Sequence, residues 1–71
     1  VYERAIKMTE RLKDVDKEYM ATYFCLASLY KKAGNKKEAL AHINHYYNKE
    51  LEKGKTTDQR VIMLKEEIEK M

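Results

Sequence analysis

The chain has no proline and no tryptophan, only two glycines and a single cysteine in 71 residues. Without proline there is no obligatory helix breaker and no polyproline or collagen-like segment, so chain reversals must rely on glycine or on short polar connections. One cysteine cannot form an internal disulfide, which favours a reducing compartment, with the cytoplasm as the default location. No apolar run approaches the roughly 20 residues that a bilayer requires. The longest, from Tyr19 to Tyr30, is interrupted by Thr22 and Ser28, and no membrane association is expected. Val1 opens neither a signal peptide nor an initiator methionine, so the chain reads as part of a longer protein.

What is present is charge and apolar surface in comparable amounts: 38% charged and 44% hydrophobic residues, the balance of a nearly all-helical domain or a part of one. Lysine and arginine exceed aspartate and glutamate by 15 to 12, a net charge of +3. The basic residues run from Lys7, Arg11 and Lys13 through Lys31, Lys36 and Lys49 to Lys65 and Lys70. They follow every segment instead of forming one stripe or arm, so nucleic acid is not an expected direct partner. Enzymatic chemistry is not expected either. There is no glycine-rich phosphate loop, no nucleophile elbow and no His-Glu-x-x-His, and acids such as Glu66, Glu67 and Glu69 sit among lysines at helix-surface spacing. No cofactor is implied.

Periodicity and stop signals predict an all-α chain of four segments. The first covers residues 1–13, with Tyr2, Ala5, Ile6, Thr9 and Leu12 on one face. The second begins after Asp14 or Asp16, either of which is a suitable cap, and runs to Ala33. The third spans Lys36 to Lys53 and stops at Gly54. The fourth starts after Thr56 or Thr57, with Thr56-x-x-Gln59 as a capping box, and carries a narrow seam of Val61, Leu64, Ile68 and Met71.

The middle of the chain is the most specific part. Tyr23, Leu26, Ala27 and Tyr30 return to one face at about 100° per residue. Ala27 and Ala39 are small where two helices would cross closely. Gly34 provides the left-handed stop between them. Asn35 is a cap for the next helix, with Glu38 placed to complete a capping box. Tyr23-x2-Leu26-Ala27-x2-Tyr30, followed by Ala39-x3-Ile43, resembles the tetratricopeptide repeat (TPR) family, whose pattern has a large aromatic, Leu, a small residue and Tyr, then Ala and a large apolar residue.

The resemblance implies antiparallel helix hairpins of a right-handed α-solenoid, about one and a half to two repeats. Residues 1–13 would be the second helix of a preceding repeat, 16–53 one full repeat, and 57–71 the first or capping helix of the next. The offsets, 41 positions from Tyr2 to Ile43 and 38 from Tyr23 to Val61, exceed the standard period of about 34. Tyr46 stands where the family usually has Ala, and Leu51 near where it often has Pro. The long repeats and the tyrosine-rich, Lys/Asn-rich texture also resemble peptide-pheromone receptors and related regulators of Gram-positive bacteria.

The implied function is a non-catalytic scaffold that binds a protein or peptide in the concave groove lined by the first helix of each repeat. Tyr23, Leu26, Ala27 and Tyr30 would face the partner helix, which leaves Ala21, Phe24, Ser28, Lys31 and Lys32 for the groove. Phe24 would be an apolar anchor or, equally, a packing residue between neighbouring helices. The Lys/Asn carboxylate clamp of one TPR subclass is not carried, because Phe24, Cys25 and Ser28 occupy its region; chaperone C-terminal tails are therefore not expected ligands. A structural alternative makes the Val61-Leu64-Ile68-Met71 seam a docking strip for another copy, with homo-oligomers formed through the terminal helices. A sensory peptide-binding domain of a bacterial regulator is a further alternative. His42 and His45, three apart, lack a third metal ligand and read as solvated or packing imidazoles near the outer side. Cys25, between Phe24 and Leu26, reads as a small core residue.

Overall fold

A computed structural model describes residues 2–17, 19–54 and 59–71. Every regular element among them is an α-helix: α1 (Tyr2–Val15), α2 (Met20–Lys32), α3 (Lys36–Glu52) and α4 (Gln59–Glu69). The fold class is all-α, as the composition and periodicity suggest.

The α2–α3 connection forms as its residues dictate. Gly34 takes φ 81°, the left-handed conformation that a Cβ disfavours. The Gly34 amide donates to the Lys31 carbonyl at 3.1 Å and the Asn35 amide to the Tyr30 carbonyl at 2.8 Å, the paired bonds of a Schellman stop. The Asn35 side chain then accepts from the Glu38 amide at 3.3 Å. The expected capping box forms only in this half, because the Asn35 amide is already held by Tyr30.

Around that turn α2 and α3 run antiparallel. Tyr23 meets His45, Phe24 meets Tyr46 and Tyr30 meets His42, so contacts move towards the start of α3 as they move towards the end of α2. Ala27 and Ala39 are both fully withdrawn from solvent, as are Leu26 and Ile43, while Tyr23 and Tyr30 are half-buried. The alanines allow the close crossing and the larger residues fill the space on either side. α4 packs on α3, with a smaller contact to α2, and it contributes Val61, Leu64 and Ile68 to the same core. The seam proposed for docking another copy is therefore mostly interior. Only Met71 remains exposed.

Two further expectations are corrected. Neither Asp14 nor Asp16 caps α2. The ladder of α1 runs through Asp14 and ends on Asp16, whose amide donates to the Leu12 carbonyl at 3.0 Å, and α2 starts behind an extended Tyr19 that makes no side-chain cap. The face of α1 is also rotated. Ala5, Ile6, Thr9, Glu10 and Lys13 are half-buried, while Tyr2 and Leu12 are 41% and 62% exposed. The reason is polar: Glu10 and Lys13 are drawn inward by partners on α2 and α3. The capping box at Thr56 and the remainder of the loop through Asp58 lie outside the described residues.

Candidate interaction surface

Helical geometry divides the surface of α2 into three strips. Tyr23, Leu26, Ala27 and Tyr30 turn towards α1 and α3. Phe24, Ser28 and Lys31 turn towards α4, and Ala21, Cys25 and Lys32 form an outward line between. The last three are all exposed. Cys25 is thus not a core residue. Its apolar neighbours Phe24 and Leu26 are adjacent in sequence but about 100° away on either side of the helix.

Ala21 and Phe24 share a cleft of about 210 Å3 with Cys25, Tyr46 and Arg60, at the junction of α2, α3 and α4. Phe24 is half-buried and meets Tyr46 edge-on at 5.8 Å between ring centroids. It also packs against the buried cluster, so it belongs to both cleft and core. Lys31, seven residues along the same strip and about 10 Å away, donates from Nζ to Glu67 Oε2 on α4 at 2.6 Å. Both groups of this pair are partly solvated, so the pair contributes little to stability. The structure therefore brings Ala21 and Phe24 into one cleft, sets Ser28 and Lys31 further along the same strip, and leaves Lys32 on the solvent line.

A polar cluster at the α1–α2–α3 junction was not legible as such in the sequence. His42 is 6% exposed, buried instead of lying near the outer side. Its Nδ1 is 2.7 Å from the Glu38 carbonyl, a pure acceptor, so Nδ1 carries the proton. Nε2 lies 3.3 Å from Lys13 Nζ and 3.5 Å from Glu10 Oε1. Lys13 pairs with Glu10 Oε2 at 2.9 Å, and the Tyr30 hydroxyl donates to Glu10 Oε1 at 3.1 Å. Burial by itself would raise the Glu10 pKa; the hydrogen bond and charge of Lys13, the Tyr30 hydroxyl and the charge of His42 outweigh it, and the net direction is down. Tyr30 is pushed up to about 12, first by burial and then by its hydrogen bond to Glu10 and the charges of Glu10 and Glu38. His45, by contrast, is exposed and lies against Tyr23 at 4.4 Å between ring centroids.

Among the described residues no three His, Cys, Asp or Glu side chains converge as a metal site, and no helix is long and apolar enough to cross a membrane. Comparison with protein-family models, curated proteins and solved structures finds no match to this chain.

Proposed function

We propose that the chain is a non-catalytic, TPR-like scaffold that binds a partner protein or peptide on the face shared by α2 and α4. The observation that carries this reading is that α2 touches α4 as well as α3. In this reading α2 and α4 are the first helices of successive hairpins, and a contact between them is what a solenoid whose repeats meet their neighbours would have. The face between α2 and α4 presents the Phe24 cleft and the Lys31–Glu67 pair, an apolar anchor point beside partly solvated charge. That combination suits an extended or helical peptide with some acidic character. The single, exposed thiol of Cys25 fits a reducing compartment such as the cytoplasm.

A peptide-display library selected against the chain tests this reading. Ala21 is exposed at the cleft and carries no packing role, so Ala21→Arg blocks the mouth without touching the core. Peptides selected on the parent chain should lose at least about tenfold in affinity for this variant, which is about 1.4 kcal/mol, while its melting temperature stays unchanged. Peptides that bind both proteins equally would remove the α2–α4 face as the site.

A second reading, association through the terminal helices, is favoured by the exposed line Met8, Leu12 and Val15 on α1 and by Ile62 and Met63 on α4. These residues, unlike the buried seam, can be changed without unfolding the chain. Met8→Lys with Leu12→Lys should shift a concentration-dependent sedimentation profile towards monomer, and a parent chain that sediments as a monomer at all concentrations would end this reading.

A further inference from the structure

We propose that a second cleft, on the α1 side of α2, binds an acidic peptide segment in which carboxylates flank an apolar side chain. This cleft has a volume of about 510 Å3 and is lined by Lys17, Met20, Tyr23, His45, Lys49 and Lys53. It contains no residue of α4, so its occupancy does not depend on the α2–α4 face.

Its floor is apolar. Met20 is buried, and the Tyr23 ring is half-buried beside the imidazole of His45. Its rim is cationic, and the fold makes it so. Lys49 and Lys53 are four apart at the end of α3 and therefore lie on one face, while the α1–α2 connection brings Lys17 to the same recess. Lys49 has a neighbour in Glu52 at 3.5 Å, an exposed contact that water and salt screen effectively. Among the described residues Lys17 and Lys53 form no ion pair. The same corner holds both the start of α2, whose first turn has no acidic residue, and the end of α3, so the two helix dipoles oppose one another there and the positive charge of the rim comes from the ammonium groups.

The chemistry of the occupant follows from this arrangement. Like charges gathered around one recess repel, and an anion placed among them relieves that repulsion. A bare anion would leave the Met20–Tyr23 floor wetted, whereas an apolar side chain covers it and gains from burial. A phosphate site would ordinarily offer backbone N–H groups from a glycine-rich turn; here Gly34 and Gly54 serve as left-handed helix stops. A peptide with acidic residues on either side of a Leu or Phe satisfies floor and rim together.

Fluorescence anisotropy with a labelled peptide of alternating glutamate and leucine is the test, with inorganic phosphate and an alternating lysine–leucine peptide as the other probes. The acidic peptide should bind and weaken as salt rises. Lys49→Gln with Lys53→Gln should reduce its affinity about tenfold or more, and Lys37→Gln with Lys70→Gln, equal in net charge but remote from the cleft, should leave it within about twofold. Ala21→Arg should leave it unchanged, which separates this site from the α2–α4 face. Equal loss in the two double variants would reduce the effect to overall charge and overturn the proposal. Phosphate competing at its own concentration as well as the peptide does would overturn it too, by making the apolar floor irrelevant.

Discussion

The junction of α2 with α3 and the junction of α1 with the rest of the molecule are built from different materials. Between α2 and α3 the contact is apolar and closed, with Leu26, Ala27, Ala39 and Ile43 fully withdrawn from solvent. α1 has no buried residue at all. It is held through the half-buried Ala5, Ile6 and Thr9 and through a set of bonds joining Glu10, Lys13, Tyr30 and His42. The first junction is strong because area is removed from water. The second is specific, because each polar group is satisfied only if α1 sits in one register. The consequence is a core of α2, α3 and α4 to which α1 is clasped, and a difference in how each part should fail.

Ile43→Ala should show the largest effect. It deletes a fully buried side chain at the point where α2, α3 and α4 meet, and should cost about 2–5 kcal/mol in urea unfolding, with all helices lost together. Ala27→Leu overpacks the crossing and should cost about 1–3 kcal/mol, seen as a lower melting temperature; an unchanged melt would mean that the small residue is not needed there. Tyr30→Phe removes the hydroxyl bond to Glu10 and should cost about 0.5–1.5 kcal/mol, felt mainly in amide-exchange protection of α1. Asn35→Ala should be smallest, about 0.5 kcal/mol, because the 3.3 Å cap is exposed and the Schellman stop remains.

The clasp should also respond to pH in a way the apolar core does not. Glu10 has a folded pKa below its ordinary value, so its contribution is complete above the usual carboxylate range and is lost as the pH falls through the folded value. Tyr30 has a folded pKa raised to about 12 from 10.0. Its contribution is complete below about pH 10 and is lost as the pH rises from there to about 12. Amide exchange across these windows should show α1 opening before α3, and simultaneous opening would mean that the clasp does not distinguish the two regions.

This contrast also explains what the sequence could convey. The Tyr23–Leu26–Ala27–Tyr30 stripe, the Gly34 stop, and the Ala39 and Ile43 positions were legible because apolar periodicity and positive φ are local signals. The face of α1 was misread because Glu10 and Lys13 look like solvated residues until Tyr30 and His42, which are remote in sequence, supply their partners. His42 was misplaced for the same reason, and Cys25 because adjacency in sequence is not adjacency on a helix. Of the residues expected to face a partner, Ala21 and Phe24 line one cleft. Tyr46 and Arg60, which complete it, come from other helices, and no local pattern announces that.

The most direct test is amide chemical-shift mapping of the chain with a library-selected peptide. The account predicts shifts concentrated at Ala21, Phe24 and Ser28 on α2 and around Arg60 on α4, with α1 unaffected. Shifts confined to α1, or spread without preference over all four helices, would contradict a binding face formed by α2 and α4.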